Sequence, residues 1–424
     1  MHYRVDGISH RGEGVVRIEG KACFVPFAIP GETIALDITE EHQNYLRGEL
    51  REIIEAFPQR CVPPCPHFYQ CGGCDWQHLD YSRQLDFKRE IIVQQMKRIA
   101  KMEAEVKPVI GMESPWHYRN KVSWNCDHLD DGTLALGYYR RNRQALIPLQ
   151  DCRIIPTVML AIGKWLNDHI EDCGLAAGDR VELRQSNVDD SLLMVIVGQP
   201  DEAFLLAYLP NAFSQLSSIC IATGEIHYAI LGDPWQMQDL AGCSFRISAD
   251  SFFQVNSTQA EALYHEVAAL IAVQPPLRII DAYCGAGTIT CMLAKKGHRL
   301  LGVEANQLAV GDARHNRKLN HIAKQQCRFI CGPCEVEMPP LLEGVDLLIL
   351  DPPRAGCHPH LIQALTEQTV SQVIYVSCDP ATLARDLGRL NMAGYRLQSL
   401  QPVDMFAHTG HVEVVAALTC EERP

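Results

Sequence analysis

Several side chains that can do chemistry follow predicted strands in the C-terminal part of the chain. Asp281 begins a glycine-rich segment, Asp-Ala-Tyr-Cys-Gly-Ala-Gly-Thr, between a strand and a helix. Asp351 begins an Asp-Pro-Pro-Arg turn after a later strand, and Cys378 begins a Cys-Asp-Pro turn after the next one. Ligands of open α/β sheets bind outside the carboxyl ends of the strands. We therefore expect these segments to form one site.

The glycine-rich segment indicates a nucleoside-like ligand. Gly285 and Gly287 allow a sharp turn and a close approach of the backbone to a ligand. A dinucleotide-binding fingerprint would have a third glycine at position 290, which is Thr290. Glu304 ends the next predicted strand, where an acid typically holds ribose hydroxyl groups. Together these features favour S-adenosylmethionine over NAD.

Cys378 is placed for reactivity. Asp379 can cap the following helix, and Pro380 can occupy its first position. A thiol next to a helix N-terminus lies near the positive end of the helix dipole, which favours the thiolate. We therefore expect a reactive thiol at Cys378, and we interpret Cys243 and Cys291 as buried structural cysteines.

A second group of cysteines lies far upstream. Four of the 18 cysteines fall within residues 61–74, and the spacing Cys65-x5-Cys71-x2-Cys74 is close to the plant-type iron-sulfur pattern, which also needs a distant fourth cysteine. In a reducing compartment such a cluster indicates metal or redox chemistry rather than disulfides. Zinc stays open, because four cysteines also bind zinc.

Cys331 and Cys334 are separated by Gly-Pro and form a cysteine pair outside the upstream group. Its letters match a thioredoxin-type redox motif. It follows a predicted strand of the C-terminal sheet, so we interpret it as a loop beside the nucleoside site and consider a redox role unfavoured.

Composition sets the protein class. The chain has 424 residues, of which 47% are hydrophobic and 21% charged. This is typical of a soluble protein with roughly two to four domains. No apolar run reaches the ~18 residues of a membrane helix, and the N-terminus lacks a signal-peptide core, so we expect a cytoplasmic protein without membrane contact. The formal net charge of −13 argues against general coating of nucleic acid.

The sequence of the N-terminal half predicts four segments that differ in structure. Residues 1–57 contain short strands separated by turns, which indicate a small β-barrel of the OB type. Residues 58–75 are rich in Pro, Cys and Gly and are expected to be irregular. Residues 81–101 have helical spacing and carry six Lys/Arg against two acids. Residues 116–242 are mixed and strand-rich.

The C-terminal half predicts a Rossmann-like α/β fold. From residue 277, nearly continuous apolar strands alternate with helices, which indicates a parallel, doubly wound sheet. Two final strands, near residues 396–400 and 411–418, are joined by a loop too short for a crossover helix. We expect them to form an antiparallel pair at the edge of the sheet.

Five motifs in this order resemble the RNA uracil-5-methyltransferase family, and most closely its iron-sulfur 23S rRNA branch. The motifs are Phe252-Phe-Gln-Val-Asn256, Asp281-x-x-Cys-Gly-x-Gly287, Asp351-Pro-Pro-Arg-Ala-Gly356, Val376-Ser-Cys-Asp-Pro-Ala-Thr382 and Met405-Phe-Ala-His-Thr-x-His-x-Glu413. The resemblance covers essentially the whole chain. It implies a multidomain monomer that methylates a uracil in RNA, expected to be 23S rRNA, with S-adenosylmethionine as the donor.

The resemblance also implies roles for particular residues. Cys378 corresponds to the nucleophile and Glu413 to the general base. The implied cofactor-binding residues are Gln254, Tyr283, Gly285, Gly287, Thr288, which stands where the family often has Asn, Glu304 and Asp351. The implied ligands of a 4Fe-4S cluster are Cys65, Cys71, Cys74 and Cys152, which leaves Cys61 spare.

The implied domains are a TRAM-like barrel, an α+β central domain with the cysteine cluster, and the methyltransferase domain. Their expected ranges are residues 1–57, residues 58–83 with 116–245, and residues 84–115 with 246–424.

The charge of the N-terminal segment departs from a simple RNA-binding pattern. Residues 1–57 hold six Lys/Arg against ten Asp/Glu, so any RNA contact there must use a local face. The basic helix at 81–101 and the cluster Arg140, Arg141 and Arg143 are alternative phosphate contacts.

Three alternative functions stay open. The RNA could be transfer RNA, or the target could be another base, since Asp-Pro-Pro resembles the turn of amino-methyltransferases. Arg354 and Cys378 argue against that second alternative. A non-catalytic RNA-binding metalloprotein is the third.

Overall fold

The computed structural model describes residues 1–141, 145–224, 226–271 and 276–420. Three larger sheets and one two-stranded hairpin make up the strand content of these residues. Among them, no helix combines the length and apolar character that a membrane crossing requires.

The N-terminal residues form a six-stranded sheet in the order β1-β5-β6-β4-β3-β2. Its strands are β1 (Tyr3–Arg4), β2 (Gly7–Ile8), β3 (Gly14–Ile18), β4 (Lys21–Val25), β5 (Thr33–Glu41) and β6 (Tyr45–Glu55). Among the described residues no ladder pairs β1 with β2 at the two ends of the sheet, so closure of the expected barrel stays a prediction. These two strands have two residues each and follow one another in the chain, so the sheet ends are joined by the backbone instead of by a ladder.

The cysteine-rich segment is irregular, as expected, and leads into a helix. Apart from isolated bridges, the described residues have no strand or helix between β6 and α1 (Tyr81–Gln95), which continues as a π-helical turn, Met96–Ala100. Asp80 caps α1 by accepting a hydrogen bond from the Ser82 amide at 2.9 Å. The predicted helix at 81–101 is confirmed.

The central residues form a seven-stranded mixed sheet in the order β13-β12-β11-β10-β7-β8-β9. Its elements are β7 (Lys121–His128), β8 (Leu134–Tyr139), β9 (Leu146–Pro148), α2 (Thr157–Asp168), β10 (Arg180–Gln185), β11 (Leu192–Val197), α3 (Glu202–Ala212), β12 (Leu216–Thr223) and β13 (Ile226–Leu231). Buried side chains of α2 and α3 share an apolar cluster with this sheet. The hairpin β14 (Trp235–Leu240) and β15 (Cys243–Ser248) follows.

The C-terminal residues form a second seven-stranded sheet in the order β18-β17-β16-β19-β20-β22-β21. The elements are α4 (Ser257–Ala269), β16 (Arg278–Ala282), α5 (Thr288–Lys295), β17 (Arg299–Glu304), α6 (Gln307–Leu319), β18 (Cys327–Cys331), α7 (Cys334–Glu337), a 3-10 turn (Pro339–Leu341), β19 (Leu347–Leu350), α8 (Pro359–Glu367), β20 (Gln372–Ser377), α9 (Pro380–Met392), β21 (Tyr395–Val403) and β22 (Glu413–Cys420). Strands β16 to β20 are parallel, and β21 and β22 are antiparallel. The predicted Rossmann-like sheet and its antiparallel pair are confirmed.

Helices cover both faces of this sheet and bury two apolar clusters. One cluster includes Ile92, Met96 and Val106, so α1 and the residues after it pack against the C-terminal sheet although they are distant in sequence. The site described next lies where the carboxyl ends of the parallel strands meet the first residue of β22.

Candidate active site

Cys378 and Glu413 meet because β20 and β22 are antiparallel neighbours. Ser377, the last residue of β20, lies opposite Val414 in the ladder, so the residues that flank this pair share one edge of the sheet. Asp351 follows β19, the neighbour of β20 on its other side. The register therefore brings the expected nucleophile, the expected base and a second carboxyl group together.

The glycine-rich loop between β16 and α5 lies at the same edge. Its left-handed residues are Tyr283 (φ +64°), Gly285 (φ +53°) and Gly287 (φ +78°). Glu304 fastens this loop: its Oε2 accepts a hydrogen bond from the Gly285 amide at 3.1 Å, and its Oε1 accepts one from the Asn306 amide at 2.7 Å.

The two glycines serve different purposes. A Cβ at Gly285 would have no atom within 4 Å, so this position faces open space. A Cβ at Gly287 would lie 3.0 Å from Ala313 and from the ring of Phe329. A side chain at Gly287 would therefore clash with α6 and β18, which is a packing reason for this glycine, and its contact with the cofactor stays a prediction.

Tyr283 is supported by a residue that the sequence analysis assigned to a plain loop. The Tyr283 amide donates a hydrogen bond to Cys334 Sγ at 3.2 Å, and the Cys334 thiol donates to the Val303 carbonyl at 3.5 Å. Cys334 is buried, whereas Cys331 is exposed. The pair thus lies beside the loop as predicted, and one member holds it.

The remaining predicted ligand-binding residues flank this loop. The Thr288 hydroxyl lies 3.1 Å from the hydroxyl of Tyr264, whose pKa is raised by burial and then by Asp351. Gln254 is buried, and two residues further on Asn256 caps α4 and donates a hydrogen bond to the Met405 carbonyl at 3.1 Å. Asn256 thus joins the start of α4 to Met405, and the contact of Gln254 with the cofactor stays a prediction.

Three carboxyl groups of the site have raised pKa values, and two of them, Asp281 and Glu413, are buried whereas Asp351 is half-buried. Burial, with a smaller effect of Glu304, raises the pKa of Asp281 to about 7 against its hydrogen bond from Thr290. Burial and then Asp281 raise the pKa of Asp351 to about 7. Burial and then Asp351 raise the pKa of Glu413 to about 8, and Arg354 opposes this. Burial therefore favours the neutral forms of these groups, and a cation bound beside them would favour the ionised forms.

Cys378 does not have the depressed pKa that its position next to a helix predicted. Burial and then Glu413 raise its pKa to about 11, with Arg354 acting in the opposite direction. Asp379 and Pro380 begin α9 as predicted, but Asp379 Oδ1 accepts the amide hydrogen bonds of Ala381 at 2.9 Å and Thr382 at 2.8 Å. The carboxylate, and not the thiol, satisfies the helix N-terminus.

Arg354 is a charged group of the site that sequence reasoning left without a role. Its charge lowers the pKa of Cys378 and Glu413. The loop that carries it is held by α9, because Asp386 Oδ2 accepts a hydrogen bond from the Cys357 amide at 2.9 Å and Arg385 donates to the Ala355 carbonyl at 2.7 Å. The sequence feature that could have identified this residue is an arginine directly after Asp-Pro-Pro at the end of a predicted strand.

The four predicted metal ligands line one cavity of about 700 Å³: Cys65, Cys71, Cys74 and Cys152. Cys152 interacts electrostatically with each of the other three, while burial is the largest cause that raises the pKa of all four thiols. Cys61 is exposed and does not line the cavity. Within the described part of the chain, no three His, Cys, Asp or Glu side chains are arranged around a single ion, so the cluster stays a prediction.

The predicted basic surfaces are partly structural. Lys88 is fully buried and forms an ion pair with Asp404, and Arg83 is paired with Asp86. Arg89, Lys97, Arg98 and Lys101 are the exposed basic residues of this segment. Lys88 is therefore excluded from any phosphate contact, and a contact through the exposed residues stays a prediction.

The arginine cluster borders a second cavity, of about 900 Å³, against the N-terminal sheet. Arg141 donates a hydrogen bond to Asp75 at 2.7 Å and lies 4.8 Å from the ring centre of Phe27, and Arg140 pairs with Asp130 at 3.0 Å. Arg143 lies outside the described residues. Aromatic rings and guanidinium groups thus face one groove between the N-terminal sheet and the cysteine-rich segment.

Comparison with known proteins agrees with this architecture. Residues 4–50 match the TRAM domain, and residues 343–420 match the family described as tRNA (Uracil-5-)-methyltransferase. An uncharacterized RNA methyltransferase of Halalkalibacterium halodurans is 33% identical over 98% of this chain and 95% of its own length, and one of Listeria innocua is 34% identical over 98% and 96%.

A solved structure shares the whole fold. It is the tRNA (uracil-54, C5)-methyltransferase of Pyrococcus abyssi in complex with S-adenosyl-L-homocysteine, with a TM-score of 0.77, 27% identity and coverage of 99% of this chain and 100% of that one. The fold and these matches define an S-adenosylmethionine-dependent RNA methyltransferase with an N-terminal TRAM domain. The chain belongs to the RNA uracil-5-methyltransferase family.

Proposed function

We propose that this protein methylates C5 of a uridine in 23S rRNA through a covalent bond between Cys378 and C6 of the uracil. The observation that carries the proposal is the pairing of β20 with β22, which places Cys378 and Glu413 at one sheet edge beside Asp351. Bound S-adenosylmethionine supplies the methyl group. The proposed cofactor-binding residues are Gln254, Tyr283, Gly285, Thr288, Glu304 and Asp351, with Gly287 acting through the packing of the loop.

The need for a thiol follows from the electronic structure of uracil. Its C5 is a poor nucleophile, but thiolate addition at C6 moves the C5=C6 electrons toward O4 and makes C5 nucleophilic. Cys378 forms the sulfur–carbon bond, and Arg354 is the cation whose charge favours both the thiolate and the resulting enolate. The C5 atom then takes the methyl group, and the sulfonium of the donor becomes a thioether.

Glu413 completes the reaction in this proposal. Removal of the C5 proton re-forms the C5=C6 bond and expels the Cys378 thiolate, so the uracil ends with a methyl group in place of one hydrogen. Because burial and Asp351 raise the pKa of Glu413 to about 8, its carboxylate is a stronger base than an exposed glutamate and is still partly ionised near neutral pH.

The half-buried position of Cys378 also requires that the uracil leave the RNA stack. A base in a helix cannot reach a side chain at the bottom of a sheet-edge site, so the target is a loop nucleotide or a flipped one. The groove lined by Phe24, Phe27, Arg140 and Arg141 supports a single-stranded contact, because aromatic rings stack on bases and guanidinium groups bind phosphates.

The cysteine cavity supports the choice of the iron-sulfur branch. Four cysteine thiols, one buried and three half-buried, line one cavity, which is the donor set that a 4Fe-4S cluster takes. In this proposal Cys65, Cys71, Cys74 and Cys152 hold the cluster, and it stabilises the cysteine-rich segment.

The decisive experiment uses methyl-labelled cofactor with 23S rRNA and with transfer RNA. Wild type should label 23S rRNA. Cys378→Ala should give neither product nor protein–RNA adduct, and Glu413→Gln should accumulate a denaturation-resistant adduct that carries the label.

Other outcomes would overturn separate parts of the proposal. Labelling of transfer RNA alone would replace the rRNA assignment by a tRNA assignment. The Pyrococcus abyssi protein is a tRNA methyltransferase of this kind, for uracil 54. Product from Cys378→Ala would indicate chemistry on another base, and cofactor binding without any labelled RNA would favour a non-catalytic binding protein.

A further inference from the structure

The loop that joins β21 to β22 determines where Glu413 lies. Glu413 is the first residue of β22 and pairs with Val403, the last residue of β21, so residues 404–412 close the hairpin directly above it. Any residue that fixes this loop therefore fixes the backbone that carries the proposed base.

His408 lies in this loop in a strained and buried conformation. Its φ of +64° is in the left-handed region, which costs a residue with a Cβ about 1–2 kcal/mol, and its side chain is 2% exposed. Its ring stacks on Trp116, with ring centres 3.8 Å apart. Such a conformation persists only where the surroundings determine it strongly.

Both ring nitrogens of His408 have partners. Nδ1 lies 3.2 Å from Gln84 Nε2, and Nε2 lies 3.1 Å from the Pro115 carbonyl. Burial lowers the pKa of His408 to about 4, so the ring is neutral at pH 7. A neutral ring with its hydrogen on Nε2 donates to Pro115 and accepts from Gln84, which satisfies both atoms.

The backbone of His408 joins two other parts of the chain. Its amide donates to Gln84 Oε1 on α1 at 2.9 Å. Its carbonyl accepts the amides of Asp75 at 2.7 Å and Trp76 at 2.9 Å, which directly follow Cys74. Helix α1 and the end of the cysteine-rich segment thus meet on one residue of the loop.

The start of the loop is held from the same helix. Lys88 is fully buried, pairs with Asp404 and donates a hydrogen bond to the Phe406 carbonyl at 2.9 Å. The Tyr81 hydroxyl donates to Asp404 Oδ2 at 2.6 Å. Asn256 and Tyr118 also donate hydrogen bonds to the loop, to the Met405 carbonyl at 3.1 Å and the Ala407 carbonyl at 3.2 Å. His408 is the residue of the loop that joins it to both α1 and the end of the cysteine-rich segment.

We propose that His408 is a positioning residue that holds the hairpin loop against α1 and the cysteine-rich segment so that Glu413 reaches the C5 proton. This inference rests on the proposed function, because it assigns a role through Glu413. His408 itself touches no reacting atom. Its removal should therefore affect the step that needs the base more than the step that needs Cys378.

The experiment compares His408→Gly with His321→Gly. Both histidines have a positive φ, and glycine adopts that conformation without strain, but His321 is exposed at the end of α6. Single-turnover reactions with labelled cofactor measure adduct formation and adduct release separately, and melting curves follow the fold. In His408→Gly, release should slow by about tenfold or more while formation changes by less than about threefold. His321→Gly should match wild type in both rates.

A second variant, His408→Asn, keeps a polar side chain and tolerates the left-handed conformation, so its release rate should lie between those of His408→Gly and wild type. If the glycine variant does not fold, slowed release in the asparagine variant alone supports the proposal. Unchanged release, or formation and release reduced in the same proportion, would overturn it. Failure of Glu413→Gln to accumulate adduct would instead overturn the proposed function.

Discussion

The Glu413 carboxyl group lies close enough to Cys378 that its charge raises the pKa of the thiol. The two residues are 35 positions apart in the sequence and meet only through the antiparallel pairing of β20 and β22. Burial is the largest cause that raises the pKa of Cys378, and the Glu413 carboxylate adds to this effect when it is ionised.

This relationship predicts faster alkylation of Cys378 in the Glu413→Gln variant. Removing the carboxylate removes a charge that raises the pKa of the thiol, so the thiolate fraction at pH 9 should increase severalfold. Iodoacetamide labelling followed by peptide mass spectrometry measures the rate at Cys378. The exposed Cys61 and Cys331 serve as internal controls with unchanged rates. An unchanged rate at Cys378 would mean that the two groups do not interact.

The stability of the protein should depend on pH through Glu413. Its pKa rises from 4.5 to about 8 on folding, so the folded state holds a proton that the unfolded state loses between these values. Wild-type stability therefore falls across that range, by roughly a few kcal/mol from this group. The melting temperature of Glu413→Gln should exceed that of wild type by an amount that grows from pH 5 to pH 8.5. The exposed Glu343→Gln is the control, and a constant difference for Glu413→Gln would contradict the prediction.

The two loop glycines should respond differently to alanine. In Gly287→Ala the new Cβ meets Ala313 and Phe329 at 3.0 Å, so the melting temperature should fall clearly. In Gly285→Ala the Cβ enters open space, and the cost is mainly the left-handed conformation, about 1 kcal/mol. Calorimetric titration should show weaker S-adenosylmethionine binding to a largely folded Gly285→Ala protein. Normal affinity in that variant would place the cofactor elsewhere.

The cysteine cavity predicts that the four cysteines lining it bind the cluster and that Cys61 does not. Protein purified without oxygen should contain iron and sulfide, and Cys152→Ser should lose both together with some thermal stability. Cys61→Ser should retain both, because Cys61 lies in the same segment but outside the cavity. Metal and sulfide analysis with absorption spectroscopy provides the measurement. Stoichiometric zinc without iron would refute the cluster.

Many structural features of this protein can be predicted from short stretches of its sequence. Asp379 and Pro380 begin α9, Asp80 caps α1, and the apolar strands from residue 277 form a parallel sheet, as predicted. These features depend on neighbouring residues, on hydrogen bonds to the nearest amides and on the alternation of buried strands with helices. The order of the motifs, which indicates the family, belongs to the same level.

Other properties arise only from contacts between distant residues. Lys88 belongs to a basic run in the sequence, yet the fold buries it against Asp404. The packing of α6 and β18 leaves no room for a side chain at Gly287. The pKa of Cys378 follows from burial and from Glu413, which outweigh the position of the thiol beside a helix N-terminus. The sequence by itself determined which groups the site contains. Strand register and desolvation, which depend on the whole packed chain, decided how they are arranged and charged.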